Sequence, residues 1–226
     1  MSPWVVFALV AAGIAFVCLD LRSLLRTGEY ENRPARALKL LSVLLLTLLV
    51  LFENKLLPRH PEVNPLPLQV AFVFTLLGDI SFRVIGRFLL GVAFFAVVQL
   101  IYAWRHAYGL ALTLTDLGVF VGAAMISAVV YLKMVPGMAE RGLRLPVGLY
   151  IAVVGVALWA AVVQVLHGRF VEPVGTRIVL GTLLFTLCDL AIGARIVLTG
   201  RRKQVMGVLV WVFYLPALAL LAWTAP

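Results

Sequence analysis

Along its length the chain alternates between long apolar runs and short polar intervals. A helix rises 1.5 Å per residue, so about twenty residues cross the roughly 30 Å hydrocarbon layer of a bilayer. Eight runs of about that length stand out, at 3–20, 37–53, 66–85, 88–105, 113–133, 146–166, 176–197 and 205–224. The intervals are too short to hold a soluble domain. The pattern predicts an all-α, polytopic bundle of about eight transmembrane helices, forming one integral membrane domain over residues 1–226. The first run has no basic leader and is followed by LDLRSLLR instead of a small-residue cleavage site, so it reads as a helix and not as a secretory signal.

Composition supports the same class. Hydrophobic residues make up 63% of the 226 positions, charged residues 13%, and the mean hydropathy is +1.08. Soluble domains carry about a quarter charged residues. The net charge of +9 would suggest nucleic acid in a soluble chain; here the loops account for it, because cytoplasmic loops retain Lys and Arg. With the N-terminus outside, fourteen of the nineteen basic residues fall on the cytoplasmic side, so both termini are expected outside, in a bacterial inner membrane. The basic surface reads as topology and contact with anionic membrane lipids, with no nucleic-acid partner. Cys18 and Cys188 both lie in predicted spans, which implies neither a disulfide framework nor a metal site. His60, His106 and His167 fall near outer loops, too scattered to bind a metal. The five tryptophans, Trp4, Trp104, Trp159, Trp211 and Trp223, read as an interfacial belt. The small residues Gly109, Gly118, Gly122, Ala123, Ala124 and Ser127 suggest close helix approach.

Against this background the acids are informative. Most lie in or beside loops, and Asp116 opens a span, where it suits the helix dipole. Two remain, Asp79 in FTLLGDISFR and Asp189 in GTLLFTLCDLAIGAR. A carboxylate at mid-bilayer costs about 3 kcal/mol on insertion scales, so such residues usually face a bundle interior and serve function. Each lies about thirteen residues along its span, and both spans run from outside to inside, which places the two carboxylates at one depth. A pair of acids in a sheltered site suits proton-transfer chemistry. One protonates a glycosidic oxygen or a vinyl ether carbon while the other stabilises the oxocarbenium ion or activates water.

Further likeness lies in the surrounding words. TLLGD at 75–79, FLLGVAFFAVVQLIY at 88–102, LPVGLY at 145–150 and GTLLFTLCDLAIG at 181–193 occur in the order found in the lysoplasmalogenase-like membrane family, which the chain resembles from about Lys39 to Tyr214. The resemblance implies hydrolysis of the vinyl ether of a lysoplasmalogen, giving a fatty aldehyde and a glycerophospho-head group without metal or organic cofactor. Asp79 and Asp189 are then the expected catalytic residues, with a lysophospholipid as substrate. Lys39, Arg83 and Arg87 cluster at the cytoplasmic face, where they suit its phosphate. Gln99 and Tyr102, one turn apart, and Tyr150 suit the orientation of a water or a carboxylate. The chain departs from the family pattern at Gln99, where His is usual, at Cys188, where Ser precedes the second Asp, at Leu40, and in YLPALALL of the last span. Two other classes fit paired intramembrane acids less closely: a proton-coupled transporter and a non-catalytic lipid-binding protein.

Overall fold

The computed structural model describes residues 33–53, 65–139 and 142–224, with a few isolated positions before residue 23. The expected span at 3–20 lies largely outside the described residues. Among those residues there are seven helices and no strand. They are α1 (Arg33–Glu53), α2 (Leu66–Ile80), continued by a π-helical turn (Ser81–Ile85), α3 (Phe88–Ala107), α4 (Leu114–Ala139), α5 (Arg144–Leu166), α6 (Val174–Val197) and α7 (Gly200–Ala222). Six of them, α2 with its π turn and α3 to α7, are long and apolar enough to cross a membrane. The chain is a multi-pass helical membrane protein.

Local sequence sets the helix ends. Pro65 and Pro67 open α2, where a missing N–H costs nothing because the first-turn donors have no helical partner. Thr113 and Asp116 cap α4 reciprocally: the Thr113 N–H donates to Asp116 Oδ2 at 2.6 Å and the Asp116 N–H donates to Thr113 Oγ1 at 3.4 Å. Such caps stabilise a helix by about 1 kcal/mol. His167 Nε2 meets the same carboxylate at 2.9 Å, tying the end of α5 to the start of α4. The largest differences from the hydropathy reading are at two boundaries. Helix α4 continues through Pro136 to Ala139, and α7 begins at Gly200, not at 205. Hydropathy stops at the first charges, whereas Arg201, Arg202 and Lys203 are good helix formers at the membrane edge.

Helices α1, α2, α3, α6 and α7 share one core, built on Val43, Leu46, Phe72, Phe95, Phe185, Trp211, Tyr214 and Leu218. Glycines allow the close approaches. A Cβ at Gly181 on α6 would lie 2.8 Å from Leu221 Cγ and 3.3 Å from the Ala217 carbonyl oxygen of α7; one at Gly78 would lie 2.7 Å from the Phe95 ring. Helix α4 is peripheral, with none of its spanning window buried. It touches α5 where Ser127 fills the space beside Gly155 and Tyr131 the space beside Gly148. The expected small-residue packing is thus partly corrected: Gly118 and Gly122 face open space, and Ser127 carries the contact. Small residues permit close approach, but the packing of the apolar neighbours decides which of them meet a helix.

Gly181→Val is expected to destabilise the α6–α7 pair by about 1–3 kcal/mol through overpacking against Leu221 and the Ala217 carbonyl. Thermal unfolding in detergent measures this, and an unchanged midpoint would show that the interface yields.

Candidate active site

Asp79 stands in the last turn of α2, just before the π turn. The wider i→i+5 spacing of such turns recurs at functional positions. Here the turn ends at Gly86, whose φ of 72° lies in the left-handed region that glycine adopts without strain. Arg83, four residues after Asp79, donates from Nε to Asp79 Oδ1 at 3.3 Å. The second carboxylate oxygen accepts from Tyr214 of α7 at 2.6 Å. Both donors are charged or strongly polar partners of a carboxylate that is 3% exposed, as a buried charge requires.

Tyr214 is held by its own neighbour. Trp211, three residues earlier and so on the same helix face, packs edge-on against it with ring centroids 5.1 Å apart. The Arg83 guanidinium lies 4.4 Å from the Trp211 ring centroid and the Lys39 ammonium 5.1 Å from it. Two cations against one indole is a cation–π arrangement. It fixes Arg83 between the tryptophan and the carboxylate.

Asp189 comes from α6. Its Oδ2 accepts from Gln99 Nε2 of α3 at 3.1 Å. The Tyr150 hydroxyl of α5 lies beside Asp189 and Gln99 without a well-formed hydrogen bond. The thiol of Cys188 is buried next to it, in the field of both Asp189 and Asp79.

The two carboxylates line one cavity of about 430 Å3, together with Arg36, Arg83, Arg195 and Tyr214. Phe82, Phe88 and Phe95 form an aromatic wall between this cavity and a narrower, almost wholly apolar one among α3, α4, α5 and α6. Asp189 borders both. Along α4 the apolar cavity reaches from Ala123 to Met134, eleven residues and therefore about 16 Å. The site thus offers cations and carboxylates on one side of Asp189 and hydrocarbon on the other. Among the described residues no three His, Cys, Asp or Glu side chains converge as a metal site requires.

The expected site residues separate into groups. Asp79, Asp189 and Arg83 line the polar cavity, and Tyr150 lines the apolar one. Gln99 is fully buried behind Asp189 and holds it. Lys39, fully buried, is placed against Trp211 and not in the cavity lining. Arg87 borders a separate shallow depression with Leu90, Leu143 and Ile196. Tyr102 is buried against His106 and reaches neither cavity lining. Four contributors escaped the sequence reading. Tyr214 and Trp211 sit in an apolar run, and Arg36 and Arg195 read only as topological charges. Trp211 is not part of an interfacial belt, being 1% exposed in the core. One signal for Tyr214 was present: a hydroxyl-bearing side chain in the interior of a span needs a buried partner.

With this geometry in place, comparison with known proteins adds one finding. The family model described as YhhN family matches residues 35–225. No curated protein and no solved structure matches the chain.

Tyr214→Phe deletes a donor to a buried carboxylate and is expected to cost about 2 kcal/mol, within the range for hydrogen bonds to charged groups. Chemical or thermal unfolding in detergent reads the loss, and a variant as stable as the parent would show that the 2.6 Å contact is not needed to hold Asp79.

Proposed function

The chain belongs to the YhhN family, which includes lysoplasmalogenases, and from that premise we propose that it hydrolyses the alkenyl ether bond of a lysophospholipid, releasing a fatty aldehyde and a glycerophospho-head group. The observation that carries the reading is the position of Asp189 on the boundary between two cavities, one with Asp79, Arg36, Arg83 and Arg195 set among aromatic and aliphatic side chains and the other almost wholly apolar. A single-chain ether lipid has the same division at its ether linkage. Its phosphate suits the three arginines, and its alkyl chain suits the groove beside α4. Asp79 and Asp189 lie about 9 and 12 Å from the basic ends of their helices, counted as six residues to Ile85 and eight to Val197. That depth matches a bond a few atoms below a headgroup. The basic end, with Arg36, Arg83, Arg195 and Arg201, belongs to the cytoplasmic side on the rule that inner loops retain cations.

In this mechanism Asp189, whose described donor is a neutral amide, delivers a proton to the alkenyl carbon remote from the ether oxygen. The resulting oxocarbenium ion forms beside Asp79, and the carboxylate stabilises it. Water adds to the carbon bonded to oxygen, its proton passing to a carboxylate, and the hemiacetal collapses to aldehyde and alcohol. Protons taken up and released balance over the cycle. Arg83, fixed by Trp211, holds Asp79 in place, and Gln99 orients Asp189.

Aldehyde release from purified lysoplasmalogen in detergent tests the proposal. The wild-type chain is expected to turn over, and Asp79→Asn and Asp189→Asn each to lose at least about a hundredfold in kcat, the lower range for general acid–base groups. Undiminished turnover in either folded variant removes that residue from the chemistry, and an inert wild type removes the reaction.

A further inference from the structure

Behind the site, on the side away from the basic end, a second set of polar groups is buried in the bundle. Gln99, Tyr102 and His106 of α3 are each 0% exposed, as is Gln164 of α5, and Thr182 of α6 is 1% exposed. Among the described residues, Gln99 Oε1, the Tyr102 hydroxyl, both ring nitrogens of His106, Thr182 Oγ1 and Gln164 Oε1 have no hydrogen-bond partner. Buried polar atoms in native proteins are almost always satisfied, and where protein groups do not satisfy them, ordered water does.

These groups are arranged in register. Gln99, Tyr102 and His106 follow one another at three- and four-residue steps, which places them on one face of α3 at rises of about 4.5 and 6 Å. Helix α6 runs antiparallel to α3, and the Gln99–Asp189 hydrogen bond fixes their alignment. Counting seven residues on from Gln99 and seven back from Asp189 brings His106 and Thr182 to a similar height in the bundle, and between them Phe185 of α6 lies against Tyr102 with ring centroids 6.5 Å apart. The Tyr102 and His106 rings are parallel, 2° apart in plane with centroids 5.9 Å apart, so the stripe is ordered. At its far end Arg105, next to His106, donates to Thr224 Oγ1 at 3.0 Å and to the Thr224 carbonyl at 2.8 Å.

We propose that Gln99, Tyr102, His106 and Thr182 hold a file of internal waters that reaches Asp189 from the end of the bundle opposite the basic cavity. The file is a binding site for water whose members Tyr102, His106 and Thr182 take no part in the chemistry described above, while Gln99 joins it to Asp189. Its existence rests on the buried polar atoms alone; its use, as the source of the water consumed in hydrolysis, rests on the reading given above. Water then meets Asp189 without crossing the cavity that the lipid occupies.

Millisecond radiolytic footprinting of the full chain in detergent tests this, because waters held inside a protein yield hydroxyl radicals that oxidise the side chains touching them. Tyr102 and His106 are expected to be oxidised severalfold faster than Phe72, which is equally buried in an apolar part of the core. Thr182→Val, which removes one hydroxyl at nearly constant volume, is expected to lower oxidation at both positions. Tyr102 and His106 as inert as Phe72, or unchanged in Thr182→Val, overturns the file. Aldehyde release gives a separate reading. A fall in kcat with unchanged KM in Thr182→Val ties the file to hydrolysis, whereas normal footprints in a chain that releases no aldehyde leave the waters in place and overturn only their assigned use.

Discussion

A carboxylate inside a lipid-facing bundle has to be met by donors from the protein itself, because hydrocarbon supplies none. Two such groups organise this chain. Asp79 draws Arg83 from its own helix and Tyr214 from α7; Asp189 draws Gln99 from α3. The contacts are long range in sequence, Tyr214 lying 135 positions from Asp79 and Gln99 lying 90 from Asp189. They tie α2 to α7 and α3 to α6, pairs whose backbones scarcely approach one another, so these side chains bridge the interior of the bundle between helices that pack mainly on others. Glycines set the direct helix contacts, Gly78 bringing α2 against Phe95 of α3 and Gly181 bringing α6 against Leu221 of α7.

The hydropathy pattern located α2 to α7 well because each is about a bilayer thick, and it placed both acids inside spans for the same reason. That the two acids belong to one site was legible too, since both line one cavity. Rotation about the helix axis was not. Tyr214 and Trp211 are surrounded in sequence by residues equally suited to lipid or core, so no periodicity separates their faces, and a tryptophan in such a run looks like a membrane-interface anchor. The same ambiguity affected the cations. Arg83 and Arg87 are four residues apart and read alike, yet the π turn and Gly86 intervene, so one faces the cavity and the other a shallow depression. Lys39 looked like a phosphate ligand from its charge alone; its ammonium instead rests on Trp211.

Helix α4 shows the opposite regime. It contributes Ser127, Val130 and Met134 to the wall of the apolar cavity, while none of its spanning window is fully buried. Its firmest polar attachments are at its start, where Thr113, Asp116, Trp159 and His167 are hydrogen-bonded together. Toward the basic end it is held by apolar side chains, among them Met134, which fills the space beside Gly193. A long unbranched thioether adapts to its surroundings more readily than a branched side chain, which makes this wall the compliant side of the site.

The shared position of Asp189 also determines where fragments would go. In the hydrolysis proposed above, cleavage would leave an oily piece in the groove beside α4 and a charged piece among the arginines. Physical separation of the two halves would then pull the reaction forward and keep a reactive carbonyl product from lingering beside the groups that made it.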